Sequence, residues 1–140
     1  MLDIELFRKN PEVIKESQQK RGQPVELVEE VTRLDEKWRE HLQLAEKLKH
    51  ERNLVSEKIN QLKKAGKPAA TEIKKTKDLI DELKKVDEQA STTKMMRDKV
   101  LLEIPNLLEK DVPLGKDETE NVELKKVGKP PSFTFTPKHH

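Results

Sequence analysis

Seven lysines sit within a span of twenty residues: Lys58, Lys63, Lys64, Lys67, Lys74, Lys75 and Lys77, with Lys84 and Lys85 close behind. An ammonium group is a compact, strongly hydrated point charge. A row of them can follow a phosphate backbone without reading bases, with an affinity that falls as salt rises. The same residues also suit a simpler account, the solvated face of a coiled coil with surplus lysine, and charge alone leaves both open. Aromatic side chains do not interleave with these lysines and arginine is scarce, so base stacking and base-edge readout are not indicated. His139 and His140 could be metal ligands, active-site residues or the trace of a tag, and no carboxylate or cysteine is spaced to complete a site with them. His41 and His50 fall inside a helical pattern and read as packing or surface residues. With no cysteine, neither a disulfide nor a thiolate metal site is available. No glycine-rich phosphate loop, nucleophile–base pair or paired carboxylates occur, so nothing in the sequence reads as catalytic and no metal or cofactor site is expected.

The charge is uneven. The chain has 29 Lys and Arg against 27 Asp and Glu, a net +2. Between Lys47 and Lys85, however, twelve basic residues face six acidic ones, which leaves the remainder acidic. Asymmetry of this kind is a footprint for a polyanion. Charged residues make up 40% of the chain and aromatics 3%, too few large side chains for a thick core but suited to helices exposed on most of their circumference. No apolar run approaches the roughly 18 residues that span a bilayer, and the N-terminus lacks the pattern of a signal peptide. The expected location is cytoplasmic.

The elements that must position the lysines are two long helices. From Leu27 the apolar positions recur in alternating steps of four and three: Leu27, Val31, Leu34, Trp38, His41, Ala45, Leu48, Arg52, Val55, Ile59 and Leu62. This heptad seam predicts a helix over about 25–65 and a left-handed supercoil. A turn at 66–70 contains Gly66, which can take a positive φ, and Pro68, which cannot continue a helix. Thr71 is the expected cap of a second helix over about 71–104, ended by Ile104-Pro105. Mirroring the first seam about the turn places Ile73, Thr76, Ile80, Leu83, Asp87, Ala90, Lys94, Arg97, Leu101 and Ile104 inward. The pattern fails mid-helix, where Leu79, Val86, Thr93 and Val100 offer a seam shifted by one, and the interface is expected to drift between the two. Trp38 should then face Arg97, and His41 should lie near Lys94 in a polar layer.

Ahead of the hairpin, residues 3–22 predict two short helices. Asp3 caps the first, Asn10-Pro11 starts the second with Val13, Ile14 and Ser17 inward, and Gly22 ends it. After the hairpin, 111–120 reads as loop. Asn121–Val127 and Phe133–Phe135 read as short strands about a turn at Gly128-Lys129-Pro130-Pro131. The fold class is therefore all-α: a long antiparallel coiled-coil hairpin with two short N-terminal helices, forming one domain over 1–110. Residues 111–140 add a linker and a short β segment that reads as the start of a second domain.

Several motifs occur in order along the chain: Met1-Leu2-Asp3, Asn10-Pro11-Glu12, Lys20-Arg21-Gly22, Glu51-Arg52-Asn53 and Ile104-Pro105-Asn106. Asp111-Val112-Pro113-Leu114-Gly115-Lys116-Asp117, Asn121-Val122, Gly128-Lys129-Pro130 and Phe133 to His140 continue the series. Straddling a hairpin of this length, the set resembles the N-terminal region of seryl-tRNA synthetase across essentially the whole chain. The resemblance implies a helical arm that lies across the long variable arm of serine tRNA, near its TΨC region, mainly against sugar and phosphate. It implies a homodimeric parent in which the arm of one subunit presents tRNA to the other, and selenocysteine tRNA as a second partner. DNA and membranes are not among the expected partners. ATP and magnesium would belong to a class II catalytic domain beyond His140, so this stretch alone is expected to be inactive. Lys58, Lys63, Lys64, Lys67, Lys74, Lys75 and Lys77 are the positions to which the resemblance carries tRNA contact. Val127 departs from the family, which commonly has tryptophan there.

Two rival readings remain at the level of sequence. One is a generic coiled-coil module that binds a partner helix, with salt-insensitive association. The other is an enzyme in its own right, which the missing acid–base and metal constellations oppose. Whichever holds, the polar middle should be the weakest part of the hairpin. Amide exchange should be faster at residues 41–45 and 90–94 than at the base, and maximal protection in that layer would contradict the seam assignment.

Overall fold

The computed structural model describes residues 2–113, 115, 117–129, 132–136 and 138. The chain divides into two units, Met1–Leu108 and Glu109–His140. The first holds four helices: α1, Ile4–Lys9; α2, Pro11–Lys20; α3, Glu26–Lys64; and α4, Ala70–Glu103. The two long helices pack against each other along their length as the expected antiparallel hairpin.

Local chemistry sets the boundaries. The Asp3 carboxylate accepts the Glu5 N–H at 2.9 Å and starts α1. Pro11 opens α2 at a position that needs no N–H, although the Asn10 side chain makes no cap bond. Helices α2 and α3 end alike. Gly22 and Gly66 both have φ of 64°, and the residue after each donates back across the last turn, Gln23 to the Gln18 carbonyl and Lys67 to that of Leu62. The start of α4 differs from expectation: Ala69 is its N-cap, no side chain caps it, and Thr71 lies within the helix.

Two apolar cores form, one at each end. Phe7 and Ile14 of the short helices join Val28, Val31, Leu101 and Ile104 at the base. Ala45, Leu48 and Val55 meet Leu79, Leu83 and Val86 in the distal half. On α4 the buried stripe runs Leu79, Leu83, Val86, Ala90, Thr93, Arg97 and Leu101. It interleaves the two candidate seams instead of drifting from one to the other. Ile73, Ile80, Asp87 and Lys94 are exposed, which corrects the mirrored assignment. The reason is the cost of dehydrating charge: one inward position in each heptad moves back by one, which buries Val86 and Thr93 where the mirrored seam would bury Asp87 and Lys94. Lys94 instead pairs with Asp98 at 3.0 Å. His41 borders an open hollow of about 520 Å³ with Lys37, Lys85, Glu88, Gln89, Thr92, Thr93 and Met96, so the layer is polar as expected but Lys94 is not part of it. Val13 also turns out exposed, whereas Ile14, Ser17 and Gln18 are buried.

Between the cores lies a charged cluster. Asp35 is only 1% exposed. Its carboxylate accepts from Arg8 Nε at 2.7 Å, Arg8 Nη2 at 2.9 Å and Arg97 Nη1 at 2.7 Å. Arg39 Nε approaches within 3.2 Å. Arg97 also donates to Asp98 and lies 4.7 Å from the Trp38 ring centroid, as the seam predicted. Burial opposes ionisation of Asp35, but the guanidinium groups of Arg8 and Arg97 outweigh it and hold the carboxyl below its usual range.

The exit of α4 is tied to α2. The Leu108 N–H donates to Ser17 Oγ at 3.0 Å, and Arg21 Nη2 donates to the Asn106 carbonyl at 3.0 Å. In the second unit a 3₁₀ turn, Glu118–Glu120, follows Asp117, whose carboxylate accepts from the Thr119 N–H and hydroxyl. Neither expected strand forms: no strand occurs among the described residues. Two isolated short strands leave most ladder groups without partners, and Val122, Leu124, Val127, Phe133 and Phe135 all remain exposed here. Gly128 has the positive φ expected of a turn, whereas Pro130 and Pro131 lie outside the described residues.

Replacing Asp35 with alanine removes the acceptor shared by Arg8 and Arg97, leaves Arg97 only Asp98, and should cost about 3 kcal/mol, read from urea unfolding. Because the folded carboxyl titrates below its unfolded value, its contribution is fully present above about pH 4 and is lost as pH falls further. The stability gap between wild type and Asp35→Ala should therefore narrow on acidification below that point. A gap independent of pH would contradict the assignment.

Candidate nucleic-acid interface

All seven candidate lysines are exposed, and they flank the turn on both helices. Lys63 and Lys64 occupy the last turn of α3, where cations complement the negative end of the helix dipole. Lys67 follows Gly66 in the turn, and Lys74, Lys75 and Lys77 lie in the first turns of α4. The turn thus gathers lysines that are up to nineteen positions apart in sequence. The first peptide N–H groups of α4, which no side chain caps, add partial positive charge of the same sign.

The lysines are not equivalent. Lys58 Nζ lies 2.8 Å from Glu72 Oε1, and Lys75 Nζ lies 2.7 Å from Glu51 Oε1. Both pairs bridge α3 and α4. Glu72 is the more enclosed acid, with an 18% exposed side chain, and its bond to Lys58 lowers its pKa. Lys63, Lys64, Lys67, Lys74 and Lys77 make no ion pair with any described residue. Sequence reasoning found the lysines but not the two acids that sort them. The available signal was their position beside the seam, where interhelical pairs form in coiled coils. It also missed Asp35, which reads from sequence as a surface residue.

Among the described residues no three His, Asp or Glu side chains converge to hold a metal ion, and no helix is long and apolar enough to cross a membrane. His139 and His140 lie outside the described residues.

The described residues thus form a two-helix arm on a small helical base, with a cationic tip. Residues 1–108 match the family model described as the seryl-tRNA synthetase N-terminal domain, and the chain belongs to that family. It is 46% identical over 140 residues to a serine–tRNA ligase of Carboxydothermus hydrogenoformans, covering all of this chain and 33% of that protein. A serine–tRNA ligase of Staphylococcus saprophyticus is 40% identical with the same coverage. The chain thus spans about a third of the length of the curated relatives it matches. Among solved structures, seryl-tRNA synthetase from Pyrococcus horikoshii complexed with ATP superposes with a TM-score of 0.82 at 35% identity, over 87% of this chain and 28% of that one. The cytoplasmic serine–tRNA ligase of Naegleria fowleri in complex with AMP gives 0.81 at 27% identity, over 93% and 36%.

The turn that gathers the lysines depends on one backbone conformation. A Cβ at Gly66 meets nothing within 4 Å, so substitution there is opposed by φ alone. Gly66→Ala should destabilise by about 1 kcal/mol, and Gly66→Asn by less, because asparagine tolerates the left-handed region. Thermal unfolding that ranks alanine above asparagine would show that another constraint operates.

Proposed function

We propose that this chain is the tRNA-binding arm of a serine–tRNA ligase. In this reading the lysine-lined tip, with Lys58, Lys63, Lys64, Lys67, Lys74, Lys75 and Lys77 as its candidate contacts, grips the long variable arm of serine tRNA through its backbone. Selenocysteine tRNA, with a similar arm, is a second ligand. The carrying observation is the concentration of exposed lysines around one turn in a member of this family. The mechanism is orientation. A rigid hairpin fixed at its base holds the body of the tRNA so that the acceptor end reaches an active site in the remainder of the parent enzyme. Residues 1–110 form the arm, and 111–140 are a linker and the first segments of the catalytic domain. Exposed Val122, Leu124, Phe133 and Phe135 suit strands that are completed by a larger sheet.

ATP and magnesium belong to that remainder. The parent acts as a cytoplasmic homodimer in which each arm serves the partner's active site.

Charge reversal of Lys63, Lys64 and Lys67 to glutamate should weaken binding of serine tRNA at least tenfold and flatten the salt dependence by about 3 in slope. A gel-shift comparison with a short-armed tRNA at two salt concentrations checks both points. Unchanged affinity after reversal, or equal affinity for the two tRNAs, would remove the tip as the recognition surface.

A further inference from the structure

We infer that Glu51 and Glu72 are positioning residues of the tip: each pins one lysine across the hairpin and withholds it from phosphate. The polyanion is then met by the five lysines gathered at the turn, Lys63, Lys64, Lys67, Lys74 and Lys77. This deepens the phosphate-binding reading of the tip and rests on it.

Geometry separates the two sets. Lys58 and Lys75 are each held within 2.8 Å of a carboxylate on the opposite helix. Each bond therefore serves as a strut between α3 and α4. A phosphate that approaches Lys58 meets an ammonium already neutralised by Glu72 and must displace a like-charged carboxylate to bind it. Glu72 is the less free of the two acids to turn away, because only 18% of its side chain is exposed beside the seam. At Lys75 the acid, Glu51, is more open, with 46% of its side chain exposed, so this strut is the weaker of the two. The five remaining lysines are exposed and carry no such partner among the described residues. Two of the candidate lysines thus stiffen the surface that the other five present.

The test measures the slope of log affinity against log salt for the full chain and a serine tRNA transcript, by fluorescence anisotropy. Glu72→Gln should free Lys58, tighten binding several-fold at low salt and steepen the slope by about 1. Glu51→Gln should act likewise on Lys75. Adding Lys58→Gln to Glu72→Gln should return the slope to that of wild type, whereas Lys58→Gln alone should leave it unchanged. A purely structural strut would alter melting without moving the slope. The inference is overturned if both glutamine variants keep the wild-type slope, or if Lys58→Gln or Lys75→Gln alone flattens it by about 1. Should Glu72→Gln lose helicity by circular dichroism, the lysine variants still decide the matter. A wild-type chain without salt-dependent binding would instead overturn the phosphate-binding reading itself, and the present inference with it.

Discussion

Asp35 is the constraint on which the base of this molecule depends. An ionised carboxylate that is 1% exposed must be met by cations, and it takes them from two other helices, Arg8 from α1 and Arg97 from α4. Only one relative placement of α3 and α4 brings Arg97 to it. The pair therefore selects a register that apolar contacts alone, spread along a repeating seam, would specify weakly. Arg97 in turn covers Trp38 and orders Asp98, which orders Lys94. A single buried charge thus aligns the arm and docks the first short helix onto it.

The two apolar cores on either side of this cluster differ in kind. At the base, four helices converge and Phe7, Ile14, Val28 and Val31 are almost wholly enclosed. In the distal half only two helices meet, so each buried side chain has neighbours on one flank alone and the outer faces stay wet. Stability there rests on a narrow seam and on the struts near the turn. The proposed tRNA-binding surface stands at the end that packing supports least, where two interhelical ion pairs with exposed lysines add only a little.

Much of this was legible from residue order. Helix α1 could be read from Asp3 to Lys9, the turn from Gly66-Lys67-Pro68, and the Trp38–Arg97 contact from counting outward from that turn. Counting failed on α4 because a mirrored heptad assumes that each step is shared equally by both helices. The helix instead buries the residue before one of the two mirrored positions in each heptad, which keeps Asp87 and Lys94 in water. Asp35 was illegible for a related reason: a charged residue beside a seam reads as solvated until the cations that reach it, 27 and 62 positions away, are known. The lysines of the tip were plain, but their division into paired and open sets depends on Glu51 and Glu72, which no periodicity singles out. The strands foreseen after Asn121 follow from correct alternation and a missing partner: the pattern describes what a segment can pair with, not whether the pairing surface is present.

The clamp at the foot of the hairpin has a mechanical consequence. Ser17 and Arg21 hold the chain at Leu108 and Asn106, immediately after α4 ends. With 39 residues in α3, the arm is a lever of about 58 Å, and a tilt of about 5° at its foot would sweep the tip through about 5 Å, farther than a hydrogen bond can stretch. These two hydrogen bonds, together with the base core and the Asp35 cluster, thus bear on aim at a distance, much as the mounting of a boom decides where its far end rests.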